Sequence, residues 1–110
     1  AGGRQAAIDR AWKLERDLVQ KTGRGTRDWT DDEVQELVTS GKVRNYTGHH
    51  INNAEAFPAW KGDPRNIRFL GTQPAGGEHL RSVQGHRGNF QNTTRGRLID
   101  REATLRLFTR

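Results

Sequence analysis

The apolar residues of this chain come in short runs broken by glycine and proline. That pattern limits what the chain can become more than any other feature. In "GDPRNIRFLGTQPAGG", residues 62 to 77, there is room for one strand of a few residues and nothing longer. Across the 110 residues, hydrophobic types make up 31%, with 13 glycines and three prolines. Such a chain builds one domain with a small core and much loop. Three tryptophans and several apolar runs argue against disorder.

Two helices open the chain. Ile8, Trp12, Leu14, Leu18 and Val19 recur at roughly helical spacing, which predicts a helix over residues 4–21 ended by Gly23 and Gly25. "DWTDDEVQELVTSG" predicts a second, with Thr30 as its cap and Glu33 completing a capping box. Trp29 and Val34 stand where a hydrophobic staple joins, and Gly41 suits a left-handed stop. Asp31, Asp32 and Glu33 favour the positive end of the helix dipole, so this acidic cluster needs no chemistry.

Beyond Gly41 the elements shorten. "KVRNYTGHHI" reads as a strand running into a turn, "NNAEAFPAWKGDP" as loop and "RNIRFL" as a second strand. "GTQPAGG" breaks the chain again, and "EHLRSVQ" suits two turns of helix closed by Gly85. "HRGNFQNTTRGR" is polar and irregular, while "LIDREATLRLF" is apolar enough to pack as helix or strand. The fold class is α+β.

Charge points to a partner. The net charge is +6 and the pI near 10.7, and fifteen of the nineteen basic residues are arginine, whose planar fork fits phosphate. A polyanion is expected, nucleic acid first and acidic protein second. There is no cysteine, so disulfides and thiolate metal sites are excluded, and any metal must use His, Asp, Glu or Asn. No apolar run approaches the ~20 residues of a membrane span, and no signal peptide is visible. A start at Ala1 without any methionine suits a domain cut from a longer protein, or simple removal of an initiator.

All four histidines fall between residues 49 and 86, across the order strand, loop, strand, helix. His49 and His50 are neighbours on the first strand, where successive side chains point to opposite faces. One can bind a metal while the other meets substrate or water, since a neutral imidazole takes a proton near pH 7. Asn66 opens the second strand, where it can bond a backbone or imidazole group of the first and fix its orientation, or serve as a turn residue after Asp63-Pro64. His79 sits in the first turn of the short helix and can share a metal with His49 or His50 if that helix crosses the hairpin.

This arrangement resembles the HNH nucleases, the ββα-metal (His-Me finger) group that includes nuclease colicins and phage endonuclease VII. Its GHH-signature branch of bacterial polymorphic toxins, with type VI secretion DNase effectors, is most similar. "WTDDEVQELVTSGKVRNYTGHHINN", "FPAWKGDPRNIRFL", "EHL" and "HRGNFQN" look like that branch's consecutive blocks, over about residues 24 to 100. The resemblance implies a small ββα-metal core with additional N-terminal helices. Residues 1–23 form an N-terminal helix or extension and residues 24–110 the toxin domain, one compact domain overall.

Position by position, His50 matches the general base that deprotonates the attacking water, and His49 the metal ligand before it. Asn66, the second catalytic position, matches the middle letter of HNH and would orient the base; His79 matches the last letter, a metal ligand. The family uses one divalent ion, Mg²⁺ first, with Zn²⁺, Mn²⁺ or Ni²⁺ as alternatives, to stabilise charge on the phosphate and the leaving oxygen. The base adds ~10²–10⁴-fold. Many relatives place a second helix histidine about four residues after the first. Here His86 follows His79 by seven, which on a continuous helix spans ~10.5 Å. Gly85 breaks that helix, so His86 can fold back as a third ligand or a phosphate contact, with Asn89 in support. Arg65, Arg68, Arg81, Arg87, Arg95 and Arg97 surround the motif and suit the DNA backbone. Few aromatics lie nearby to splay bases, which favours duplex DNA, and Trp60 is expected in the core.

The function expected is therefore a non-specific, metal-dependent DNA endonuclease. It would be the toxin domain of a secreted antibacterial effector, carried by upstream delivery domains, acting in the cytoplasm of a target bacterium and neutralised in the producer by an acidic immunity protein. Two other readings stand beside it: the same site aimed at RNA, and a non-catalytic basic nucleic-acid-binding module whose four histidines close around a structural zinc.

Overall fold

A computed structural model describes residues 3–108. Helix α1, Arg4–Thr22, stops where Gly23 turns left-handed at φ 82° and donates its N–H to the Val19 carbonyl. Its buried face carries Ala7, Ala11, Trp12, Leu14, Glu15, Leu18 and Val19, so one carboxylate lies within the apolar stripe. Helix α2, Asp31–Ser40, has the capping box: Glu33 N–H donates to Thr30 Oγ1 at 3.2 Å, and Thr30 N–H to Glu33 Oε1 at 2.9 Å. Gly41 closes it at φ 86°, and Val34 packs against the core cluster that holds Trp29.

Two strands, β1 (Tyr46–His50) and β2 (Ile67–Gly71), form an antiparallel pair with Gly48 opposite Phe69, His49 opposite Arg68 and His50 opposite Ile67. Both are shorter than the apolar runs suggest. Asn45 is left-handed at φ 67° and its carbonyl accepts from Thr72 N–H and Oγ1–H, so the chain before Tyr46 is turned. Pro64 starts a 3₁₀ turn over Pro64–Asn66, capped by Asp63, so β2 begins only at Ile67. Helix α3, Glu78–Arg81, is one turn rather than two. The "LIDREATLRLF" segment resolves as helix α4, Arg101–Phe108, where Asp100 Oδ1 accepts from Ala103 N–H at 3.0 Å. The described fold is α+β, a ββα unit (β1, β2, α3) with helices added.

Residues Gly48, Ile67 and Phe69 lie on one face of the hairpin, turned towards α1. Phe69 stacks on Trp12 with ring centroids 3.7 Å apart, and Trp29 meets Tyr46 edge-on at 5.0 Å. At Gly48 a Cβ would lie 2.8 Å from Cγ2 and 2.9 Å from Cγ1 of Ile8, and 3.2 Å from Cγ2 of Ile67. Both are β-branched and stiff, so glycine is what lets α1 lie on the strand. The opposite face carries His49, under α3.

Beneath the hairpin lies a fully buried ion pair. Arg101 Nε donates to Glu15 Oε1 at 2.7 Å, and both side chains are 0% exposed. The Glu15 carboxylate also accepts from Thr26 N–H, Thr26 Oγ1–H and Trp29 Nε1–H at 2.6–2.8 Å. A Cβ on Gly25 would run into Glu15 Oε2, so this glycine serves the carboxylate's packing, while Gly23 rather than Gly25 caps α1. Burial lowers the pKa of Arg101 and the charge of Glu15 opposes that shift.

Two stability measurements follow from this packing. Arg101→Leu leaves a buried carboxylate without its cation and is expected to cost about 3–5 kcal/mol in urea unfolding; a loss below about 1 kcal/mol would show that the pair is dispensable. Gly48→Ala is expected to cost about 1–3 kcal/mol through overpacking. Adding Ile8→Ala to it should return part of that loss, whereas strictly additive costs would mean that Ile8 is not the obstacle.

Candidate metal centre

Three imidazoles meet on the α3 side of the hairpin. The ring centroids of His49 and His79 are 5.1 Å apart, those of His49 and His86 5.0 Å, and those of His79 and His86 4.9 Å. One ring nitrogen from each lies within 4.8 Å of the other two. His49 is 2% exposed, and its Nε2 is buried with no hydrogen-bond partner. An orphaned polar atom at such depth costs free energy unless something fills it, and a shared cation would. Zinc–nitrogen bonds of about 2.1 Å would need only a modest inward movement of these rings.

Protonation also suits a cation. Burial, then the neighbouring His79, His86, His50 and Arg68, lowers the His49 pKa to about 3. Burial and then His86 lower that of His79. These two rings therefore keep a lone pair at neutral pH. His86 Nδ1 stands 3.3 Å from the Asn92 carbonyl, which can only accept, so Nδ1 carries the hydrogen and Nε2 is left for a ligand.

The seven-residue spacing from His79 to His86 closes because α3 ends after one turn. Ser82 Oγ–H donates to the Glu78 carbonyl at 2.7 Å and Ser82 Oγ accepts from Gly85 N–H at 3.0 Å. His86 N–H then returns to the His79 carbonyl at 2.9 Å. A Cβ at Gly85 would collide with the carbonyls of Glu78 and His79, so only glycine permits this fold-back. The helix itself is anchored by Glu78, whose carboxylate accepts from Arg27 at 2.9 Å and from Gly71 N–H at 2.7 Å. Arg27 holds that carboxyl below its usual pKa range.

His50 takes no part in the triad. Its Nε2 lies 2.9 Å from the Lys61 carbonyl. Since a carbonyl only accepts, Nε2 carries a hydrogen in this contact. His50 and His49 nevertheless line one cavity of about 310 Å³, together with Arg4, Glu55, His79, His86 and Phe90.

Asn66 is fully buried, and its amide binds Asn52 and two backbone carbonyls rather than an imidazole. Its Oδ1 accepts from Asn52 N–H and Asn52 Nδ2–H, both at 2.9 Å. Its Nδ2–H donates to the carbonyls of Asn52 at 2.9 Å and Trp60 at 3.2 Å. It thus ties the end of β1 to the residue before Lys61, whose carbonyl holds His50.

Asn89 shapes the loop after His86 by accepting from Gln91 N–H and donating its own N–H to the His86 carbonyl, while Asn92 contacts both the His86 ring and its carbonyl. Arg65 is held by Asp63 at 2.7–3.1 Å, and Arg87 donates to the Thr93 carbonyl at 2.9 Å. Arg81, Arg95 and Arg97 are exposed and Arg68 is half-buried. Arg4, Asn52, Lys61, Phe90 and Asn92 escaped the sequence reading. Only Asn52 had a local signal, as a polar residue two positions after the paired histidines. Trp60, expected in the core, is half-buried and stacks on Phe57 with centroids 5.7 Å apart.

A hairpin crossed by a short helix, with histidines gathered at their junction, is the framework of an HNH-type nuclease domain. A model of the family described as "GHH signature containing HNH/Endo VII superfamily nuclease toxin" matches residues 2–71, and this chain belongs to that family. The matched stretch includes α1 and ends with β2, ahead of His79 and His86. The chain is also similar to Teneurin-m of Drosophila melanogaster, 40% identical over 63 residues, and to Teneurin-3 of Mus musculus, 37% identical over 67 residues. Teneurin-4 of Homo sapiens is 31% identical over 67 residues. These alignments cover 57% of this chain for the fly protein and 61% for the other two, but only 2% of each relative's length. No described helix is long and apolar enough to cross a membrane.

Calorimetric titration with Zn²⁺ or Mn²⁺ is expected to give one site per chain. His49→Ala and His79→Ala should each weaken it by more than about tenfold. Unchanged affinity in both folded variants would remove the triad as a metal site.

Proposed function

We propose that this domain is a metal-dependent endonuclease that hydrolyses DNA phosphodiester bonds without sequence preference and serves as the toxin domain of an antibacterial effector. The observation that carries this reading is the unpartnered, buried Nε2 of His49 beside two further imidazoles, with His50 on the same cavity but outside the triad. Three protein ligands with an open position suit catalysis, whereas a closed structural zinc needs a fourth. The fourth histidine, His50, lies outside this group of three.

In this reading His49, His79 and His86 hold one divalent ion, Mg²⁺ or a transition metal. When bound, it supplies positive charge to the phosphate and the leaving oxygen. His50 takes the proton of the attacking water at Nδ1, because its Nε2–H is fixed on the Lys61 carbonyl. Lys61 is fixed in turn by Asn66, which grips the neighbouring Trp60 carbonyl and Asn52, so Asn66 is a positioning residue. Arg4 on the cavity wall, the exposed Arg81, Arg87, Arg95 and Arg97 and the half-buried Arg68 supply charge for the backbone. Arg65 contributes less while Asp63 holds it. Contacts to phosphate carry no sequence information, which suits a nuclease directed at any genome. We further propose delivery as part of a longer secreted polypeptide into the cytoplasm of a target bacterium, with an acidic immunity protein protecting the producer. Residues 1–23 would form the domain's own helical extension.

Supercoiled plasmid should be nicked and linearised with Mg²⁺, Mn²⁺ or Zn²⁺ and left intact with chelator. His50→Ala should lower the rate by about 10²–10⁴-fold while metal binding persists. Absence of cleavage with every metal, or undiminished cleavage by His50→Ala, sinks the assignment. An RNA substrate run in parallel decides which nucleic acid is preferred.

A further inference from the structure

Phe90 is 55% exposed at the mouth of the cavity that His49 and His50 line. Its ring centroid lies 5.3 Å from that of His79 and 5.3 Å from that of His86. The chain has only four phenylalanines, and exposing most of one beside charged and polar groups gives up burial energy. The loop that carries it is tightly built. Arg87 and Gly88 are left-handed at φ 53° and 97°, and Gly88 N–H reaches the Leu80 carbonyl at 2.7 Å. Asn89 Oδ1 accepts from Gln91 N–H at 2.9 Å, and Asn92 Nδ2–H donates to the His86 carbonyl at 2.7 Å. The ring is thus presented on a fixed support, which reduces the ordering cost of any ligand laid against it.

A phosphate bound beside His79 and His86 brings its own sugar and base to this rim. The outward ring face is apolar and flat, and every nucleobase has a complementary face. A paired base in continuous duplex already stacks on its neighbours and must be unstacked to reach Phe90. We propose that Phe90 is a stacking platform for the nucleobase beside the scissile phosphate, so that this site prefers nucleic acid with unstacked bases over continuous duplex. The proposal rests on the nuclease reading above for where the phosphate lies. It reverses the duplex preference expected from the scarcity of aromatics, because the one that matters stands at the site.

The test measures binding by anisotropy to metal-free protein in chelator at low salt, so that nothing is cut. The probes are a dye-labelled thymidine octamer, an octamer of the same phosphodiester chain with abasic sugars, and a duplex. The parent should bind the thymidine octamer about tenfold more tightly than the abasic chain. Phe90→Leu, which keeps an apolar side chain but no aromatic face, should abolish that gap, and Phe90→Trp should keep it. A ring that merely shields the metal ligands predicts no gap in the parent, or the same gap in Phe90→Leu, and either result overturns the proposal. Zn²⁺ titration of Phe90→Leu should match the parent. Weakened metal binding would assign Phe90 to the metal centre instead and would also overturn it. The two readings fail separately. A base-dependent gap without cleavage in any metal removes the nuclease and keeps the platform, while cleavage without a gap removes the platform alone.

Discussion

The Glu15 carboxylate organises this protein. It lies within the apolar face of α1 and takes hydrogen bonds from Thr26, Trp29 and Arg101, which belong to the segment before α2 and to α4. Neither Glu15 nor Arg101 could be buried alone, since an unpaired charge at that depth costs several kcal/mol (roughly 3–5). Each therefore fixes the position of the other across 86 residues of sequence. A chain with only 31% hydrophobic residues has little apolar surface with which to specify how its helices meet. A directional polar cluster supplies what a small core does not.

Fixing α1 has a consequence at the site, because Ile8 rests on Gly48. The first letter of the Gly-His-His run is thus a packing requirement, and the two histidines are its neighbours in the strand. The core side of the hairpin is closed by α1 through Gly48, Phe69 and Trp12, which leaves the His49 side free for α3. Arg27 links the two sides. It donates to the Phe69 carbonyl and to Glu78, with its guanidinium 4.5 Å above the Tyr46 ring. The position of His79 therefore depends, through Glu78 and Arg27, on the same core that Glu15 organises. The family match beginning at residue 2 fits this physical picture, in which the first helix is part of what holds the signature in place.

Features that depend on neighbours in sequence were legible before the structure. The capping box of Thr30 and Glu33, the stops at Gly23 and Gly41 and the strand–loop–strand order around the histidines are local, and each appears as read. Features set by long-range contacts were not. Nothing near Glu15 in sequence shows that Arg101 will reach it. Arg4 joins the cavity only because α1 lies across the hairpin. The strand ends were misjudged where single residues outweighed apolar pattern: Asn45 in a left-handed turn and Pro64 in a 3₁₀ turn. The loop after α3 read as irregular and is irregular, yet it is closely bonded and carries His86, Phe90 and Asn92.

The paired histidines are divided by depth as well as by strand face. His49 lies within the hairpin, where burial and its neighbours keep it neutral and suited to a cation. His50 ends β1, where the chain turns and water can reach it, and the Lys61 carbonyl decides which of its nitrogens carries hydrogen. A base needs a lone pair directed at water, and a ligand needs one directed away from it. In the proposed function, a strand that ends one residue after a buried position serves both needs with two adjacent side chains. The loop from Asn52 to Asn66 is then more than a connection. Asn66 clasps Asn52 at one end and the Trp60 carbonyl in the middle, so Lys61 is held at the height of His50. The asparagine and the histidine meet only through the backbone of residues 60 and 61, where Asn66 binds the Trp60 carbonyl and His50 the Lys61 carbonyl.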